Sequence, residues 1–460
     1  MRRFNPDELA LSTGGVWQSG NQPERITGFC FDARQIQVGE CFVALSSGAR
    51  DGHEFIGQAV QGGASAVMVE RTVDATIPQL LVDDSLLALG AIGTAIRGKY
   101  TRPIVGITGS CGKTSTKEML RLLLGETRTH ATAGNWNNRI GVPMTLMGLN
   151  AADQDFAVIE AGINQPDEMR HLGEMIRADL TLVTNIGPAH LELLGTIENI
   201  ATEKARLAQH ATSDSSIILT AEVLRIPAFQ KLSARAIVLV EQGVQFSGAV
   251  RRVIFYRIES NKGAGVKLYL SDGEMEAVFS IASPSLGIAT NAALAIVVAR
   301  ELGVTEEDIR ERIESWSPTS NRGRIVSLGG QTFYVDCYNA NPASMRDALS
   351  AFIVSVSDEL PRAYVLGAMN ELGPQAETLH WEIGHELSLR PQDRAFFVGP
   401  KVLTDAYYSG AMASGARPDQ LQSAETIEKI KSIIAEFSGA LFLKGSRSYG
   451  LEKLLPVNLP

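Results

Sequence analysis

The stretch Ile104-Val-Gly-Ile-Thr-Gly-Ser-Cys-Gly-Lys-Thr-Ser-Thr116 decides how the rest of the chain is read. A β-branched run enters a glycine-rich turn, and an amphipathic helix is predicted from Lys113 to Leu124. Strand, loop and helix in that order aim backbone N–H groups at an anion, because a helix N-terminus carries unpaired donors and the positive end of the peptide dipoles. Gly109 and Gly112 allow close approach of a phosphate, Lys113 supplies a positive charge, and Thr114 offers a hydroxyl to Mg²⁺. The common phosphate-loop spacing places a glycine at position 107, where this chain has Ile107. A plain glycine turn is the alternative. The flanking strand and helix favour a site for a nucleoside triphosphate. Cys111 reads as a small loop residue valued for its N–H, ahead of a reactive thiol.

With 460 residues the chain exceeds a single core and fits two or three domains. No apolar run reaches membrane-spanning length, and the start Met-Arg-Arg-Phe-Asn-Pro lacks the apolar stretch of a signal peptide. The four cysteines (Cys30, Cys41, Cys111 and Cys337) form no Cys-x-x-Cys pair, as expected of reduced thiols in the cytoplasm. A net charge of −9 without a Lys/Arg cluster argues against a nucleic-acid partner.

Outward from the loop, the chain divides into three parts. Residues 1–100 alternate predicted strands (Cys41–Leu45, Ala66–Val69, Gln79–Val82) with helices (Glu54–Gln61, Leu86–Tyr100), a small α/β unit ending near Thr101-Arg-Pro103. Residues 101–317 repeat strand and helix, with strands at Phe156–Glu160 and Leu180–Asn185 and a helix from Ile197 to His210. This pattern implies a mostly parallel sheet covered by helices, with ligands beyond the carboxyl ends of its strands. Alternating runs at Val253–Ile258 and Val266–Leu270, divided by Asn-Lys-Gly and followed by Ser-Asp-Gly, predict antiparallel hairpins. A helix is expected from Asn291 to Leu302. Ser317-Pro-Thr-Ser-Asn321 reads as a hinge into residues 318–460, where strands at Thr332–Asp336, Ala363–Leu366, Ala395–Val398 and Ala440–Leu443 predict a second doubly wound, Rossmann-like sheet.

Several residues suit chemistry at such strand ends. Glu160 closes a strand of the phosphate-loop sheet, where a carboxylate anchors Mg²⁺ on a nucleotide; helix capping is its alternative. His190, in Asn185-Ile-Gly-Pro-Ala-His190, reads evenly as ligand or structural histidine. Lys204 on its own reads as a solvated surface lysine. Asn135-Trp-Asn-Asn138 clusters amide donors and acceptors in a loop and suits a polar ligand, although turns also favour asparagine. Asp336 follows a C-terminal strand, where a carboxylate can hold ribose hydroxyls or cap a turn.

Together these residues resemble the Mur ligase family, the ATP-dependent amide-bond formers of cell-wall precursor synthesis. Thr108-Gly-Ser-Cys-Gly-Lys-Thr114 is similar to that family's phosphate loop, which explains Ile107. Further matching segments are Asn135–Pro143, Ile159-Glu-Ala-Gly162, Asn185–His190, Tyr338-Asn-Ala-Asn-Pro342, Glu371-Leu-Gly373 and Lys444-Gly-Ser-Arg447. Asp32-Ala-Arg34, Val43-Ala-Leu45 and Asp51-Gly-His53 resemble a UDP-binding part.

The resemblance implies an N-terminal domain for a UDP-sugar, a central ATPase, and a C-terminal domain closing over the nucleotide and incoming amine. It points to the branch that adds D-Ala-D-Ala to UDP-MurNAc-tripeptide, since the arginine motif for diaminopimelate is missing. A cytoplasmic monomer is expected. Residues Thr108, Gly109, Ser110, Cys111, Gly112 and Lys113 would grip ATP phosphates. Thr114 and Glu160 would hold one Mg²⁺, with His190 and Glu160 near a second. Lys204 matches a lysine carbamylated by CO₂, which reverses the surface reading and makes it an oxygen ligand facing Mg²⁺. Catalysis would rest on Lys113, Glu160, His190 and Lys204. Asn291, Arg324, Asp336 and Asn339 would touch the nucleotide, while Asp32, Arg34, Ser46, Asn135, Asn137 and Asn138 would hold substrate. Three positions depart from the pattern: Ala33 in place of serine, Gly287 in place of histidine or tyrosine, and Ala368 in place of aspartate.

Overall fold

A computed structural model describes residues 4–18, 21–48, 50–261, 265–319 and 321–456. The expected Asn-Lys-Gly turn falls partly on residues 262–264, and Ser320 of the expected hinge is likewise outside the described residues. Among the described residues three large α/β sheets succeed one another along the chain, with a two-stranded ribbon of Ser46–Ser47 and Arg50–Asp51 besides. No helix among the described residues is long and apolar enough to cross a membrane.

The first sheet has five strands in the order Val16–Trp17, Gln79–Leu81, Ala66–Val69, Cys41–Val43, Phe29–Cys30. Only the first pair is antiparallel. Its helix Ser85–Lys99 starts at the N-cap Asp84 and sends Arg97 into the neighbouring unit. There Arg97 donates to the carbonyls of Ile176 and Arg177 and to Asp179 Oδ2, which in turn accepts from Ile104 N at the start of the phosphate-loop strand. Ala33 packs among Ile36, Phe42 and Ile56, so its methyl group belongs to this unit's core.

Nine strands form the second sheet, in the order Glu276–Ile281, Gly265–Ser271, Arg252–Asn261, Ala236–Glu241, Ser216–Thr220, Leu180–Val183, Ile104–Thr108, Phe156–Glu160, Thr129–Ala131. Ile107 is fully buried inside its strand, level with Glu160 and Leu182 of the two neighbours. The ladder thus runs through the position where the common loop would already turn, and a β-branched residue suits it. The hairpins appear as expected, but Arg252–Asn261 also pairs in parallel with Ala236–Glu241. They therefore extend the main sheet. The helix expected from Asn291 starts five residues earlier, at Leu286, because Ser285 caps it by accepting from Ile288 N.

Six strands make the third sheet, in the order Arg324–Leu328, Gln331–Asp336, Ala440–Lys444, Arg362–Gly367, Arg394–Val398, Leu421–Ala424. All pairs are parallel except the edge pair with Arg324–Leu328. Helix Pro342–Ser355 opens on a reciprocal capping box between Asn341 and Ser344, with proline in its first turn.

Candidate functional site

A cavity of about 510 Å³ lies between the second and third sheets, at the carboxyl ends of their strands. The phosphate loop forms its floor. Gly109 and Gly112 have φ of 151° and 79°, where side chains are disfavoured. Neighbours exclude them as well: a Cβ at 109 would lie 1.8 Å from Thr184 Oγ1, and one at 112 would lie 2.3 Å from Asn291 Nδ2. Glycine is needed here for conformation and for room.

The loop is held from behind. Asn185 Oδ1 accepts from Cys111 N at 3.0 Å, Thr184 Oγ1 donates to Cys111 O at 2.6 Å, and Ser110 Oγ donates to Gly187 O at 2.9 Å. Asn185 Nδ2 also donates to Cys111 Sγ, and burial pushes that thiol's pKa up, which leaves it protonated and unreactive. Lys113 Nζ folds back on Gly109 O at 2.8 Å. Burial lowers its pKa, with Glu160 acting in the opposite direction.

Glu160 is 1 % exposed. Its Oε2 accepts from Thr114 Oγ1 at 3.0 Å, its Oε1 from Asn137 Nδ2 at 2.7 Å, and its N–H donates to Thr132 Oγ1 at 2.9 Å. A hydroxyl and a carboxylate in direct contact are hard oxygen donors suited to Mg²⁺, which takes few protein ligands when phosphates supply the rest. The described residues contain no group of three or more His, Cys, Asp or Glu that would hold a metal by itself. The donor set fits an ion carried in on phosphate.

Lys204, which taken on its own reads as a surface lysine, is fully buried, and its Nζ has no hydrogen-bond partner. Burial, reinforced by the charge of Lys113, holds its pKa well below the ordinary lysine value. A buried amine whose charged form is disfavoured fits the nucleophile that CO₂ would carbamylate.

His190 lies on the cleft wall with Nδ1 2.5 Å from Glu371 Oε2 of the third unit. Both residues have positive φ, 59° and 63°. That conformation costs a non-glycine residue roughly 1–2 kcal/mol. The contact with His190 holds the Glu371 carboxyl below its ordinary pKa. Glu192 N also donates to Glu371 O at 3.0 Å, so the two units meet through backbone as well.

Asn135, Asn137, Asn138, Asn291, Asp336 and Asn339 line the same cleft as Ser110 to Thr114. Lys444 Nζ is bonded to Asp336 Oδ2 and donates to Asn339 O at 3.2 Å. Thr108, Gly109, Lys204 and Arg324 do not form the wall; Thr108 and Lys204 are buried behind it. Arg322, two residues before Arg324, is a lining residue, its guanidinium 3.8 Å from the centre of the Tyr338 ring. Arg324 opens strand Arg324–Leu328 and is paired with Val335.

Asp32, Arg34 and Ser46 lie apart, in the first unit. Asp32 pairs with Arg34, and Ser46 Oγ donates to Asp51 Oδ1 at 3.2 Å. Phe31, adjacent to Asp32, meets Trp136 of the asparagine loop with ring centroids 6.0 Å apart, joining the first unit to the cleft.

Sequence reasoning assigned no role to Lys117, Arg322 or Asp347, and named Asn185 only as the start of the segment Asn185–His190. Buried Lys117 donates to the carbonyls of Thr132 and Gly134 and so holds the loop leading to Asn135. Its spacing on the helix after the phosphate loop, four residues beyond Lys113, was the available signal.

Comparison with known proteins adds the following. The model of the Mur ligase middle domain matches residues 107–299, and that of the Mur ligase, glutamate ligase domain, residues 321–445. A Synechocystis protein named UDP-N-acetylmuramoyl-tripeptide--D-alanyl-D-alanine ligase is 31% identical, the match covering 93% of this chain and 90% of that protein. One of the same name from Escherichia coli is 31% identical over 92% of both. A crystal structure of MurF from Acinetobacter baumannii superposes with a TM-score of 0.87 at 28% identity, covering 99% of this chain and 98% of the other.

Proposed function

The chain belongs to the Mur ligase family, and from this we propose that it joins D-Ala-D-Ala to the terminal carboxylate of UDP-MurNAc-tripeptide at the cost of ATP. The products are UDP-MurNAc-pentapeptide, ADP and phosphate, the substrates being those named for the relatives. A cytoplasmic setting agrees with substrates of this kind. The carrying observation is the buried, partnerless Lys204 amine beside Lys113 and Glu160, under a cleft lined by two units.

A carboxylate resists attack by an amine because oxide would have to leave. Transfer of the γ-phosphoryl group makes the acyl carbon electrophilic, and the neutral amine of the dipeptide then attacks, losing its proton while phosphate leaves. Bound Mg²⁺ would supply charge neutralisation on the phosphoryl oxygens. Thr114 and Glu160 would hold one ion. Carbamylated Lys204, and His190 together with Glu160, would serve a second. The loop N–H groups and Lys113 would orient the phosphates and stabilise the charge developing on them.

The third unit contributes Arg322, Asp336 and Asn339 to the cleft, where they would touch the nucleotide, and its closure would keep water from the acyl phosphate. The first unit would hold the UDP end near Asp32, Arg34 and Ser46. The Phe31–Trp136 contact would lead the peptide towards Asn135, Asn137 and Asn138.

Purified protein with ATP, Mg²⁺, UDP-MurNAc-tripeptide and D-Ala-D-Ala should release phosphate only when both cosubstrates are present. Release that depends on glutamate, lysine or diaminopimelate with a shorter UDP-peptide would assign another family reaction. No amine-dependent release from any of them would instead indicate an idle nucleotide-binding partner.

A further inference from the structure

Helix Leu286–Glu301 carries a contact to the third unit and a contact to the phosphate loop. At its start, the hydroxyl of the N-cap Ser285 donates to Asp347 Oδ2 at 2.6 Å. Gly287 N donates to Asp347 Oδ1 at 2.9 Å. Asp347 belongs to helix Pro342–Ser355 of the six-stranded unit, so a carboxylate from one unit closes the N-terminus of a helix in another. An anion there is favoured both by the hydrogen bonds and by the helix dipole.

One turn further on, Asn291 is buried against the phosphate loop, in contact with Gly112. Residues four apart share a helix face. Gly287 leaves space for the lock: a Cβ at 287 would lie 3.0 Å from Asp347 Oδ2 and 3.2 Å from its Cγ. A side chain at 287 would crowd the carboxylate, which would have to give by a few tenths of an ångström.

We propose that Asp347 is a positioning residue that docks the six-stranded unit onto helix Leu286–Glu301 and, through Asn291, holds the phosphate loop in its nucleotide-gripping arrangement. Gly287 is the second half of this lock. The proposal rests on the ligase reading only in taking the cleft to bind adenine nucleotide. When Asp347 is removed, nucleotide binding has to supply the docking free energy, so apparent affinity falls while saturated turnover recovers.

The test measures the ADP dissociation constant, KM for ATP and kcat for Asp347→Ala, Gly287→Leu and the double variant. Leucine is a better helix former than glycine, so Gly287→Leu removes the contact without weakening the helix. Each single variant should weaken ADP binding and raise KM by about 10-fold, in the range of charged hydrogen bonds, with a much smaller change in kcat. The double variant should be no worse than either single one, since both remove the same contact. Small-angle scattering should show that ADP and Mg²⁺ compact the wild-type protein more fully than Asp347→Ala. Unchanged ADP affinity in Asp347→Ala would overturn the lock, even if its melting temperature fell, and so would additive effects in the double variant. If wild-type protein shows the Asp347-dependent ADP response but no dipeptide ligation, the lock stands and the ligase reading falls.

Discussion

Under the proposed reaction Lys113, Glu160 and Lys204 would be three of the four catalytic side chains, and their removal is predicted to have distinct consequences. Lys113→Ala and Glu160→Ala remove groups that, in the proposed reaction, would face developing phosphoryl charge. Each should lower turnover by about 100-fold or more in the phosphate-release assay. Near-normal turnover in Glu160→Ala would dismiss its metal role. Lys204→Ala should be inactive and regain activity with added short carboxylates that fill the place of a carbamate.

Lys204 also links stability to pH. Its folded-state pKa is depressed, so the unfolded chain binds the extra proton between the folded value and the ordinary lysine value of about 10.4. Unmodified Lys204 therefore destabilises the fold at neutral pH, and the penalty fades as pH rises towards the unfolded value. In CO₂-free buffer, Lys204→Met should melt at a higher temperature than wild type at pH 7. The gap should narrow with rising pH. A lower melting temperature at pH 7 would show that the amine has a partner.

Elements set these groups in place through close backbone approach. The phosphate loop passes so near Thr184 and Asn291 that neither Gly109 nor Gly112 has room for a methyl group. Gly109→Ala should abolish nucleotide binding and destabilise the protein by about 2 kcal/mol or more in denaturant titration, combining overpacking with an unfavourable φ. A stable variant with intact ADP binding would mean that the loop relaxes at little cost. Arg97 acts between elements, tying the helix of the first unit to the start of the phosphate-loop strand through Asp179. Arg97→Ala removes the guanidinium donor from three carbonyls (Ile176, Arg177 and Tyr100) and from the Asp179 carboxylate, and should cost about 3 kcal/mol in the same titration.

At the scale of the whole molecule, the cleft exists only because two units face each other. The second supplies the phosphate loop, Glu160 and His190; the third supplies Arg322, Asp336, Glu371 and Asp347. ADP with Mg²⁺ should therefore slow amide hydrogen exchange together in residues 109–116, 285–291 and 338–347, leaving strands Ala66–Val69 and Gln79–Leu81 unchanged. Protection confined to 109–116 would mean that nucleotide is held without the third unit.

Local patterns in the chain determined the strand–loop–helix around Lys113, the strand closing on Glu160 and the parallel character of the sheets. Each depends on neighbours within a few residues: apolar periodicity, glycine punctuation, and a polar side chain at a strand end. The tertiary structure alone decided that Lys204 is buried without a partner. It also decided that Arg322 lines the cleft, that His190 meets Glu371, and that Gly287 makes room for Asp347. Those outcomes depend on desolvation and on contacts between residues as far apart as 60 to 181 positions, whose separation no local pattern encodes.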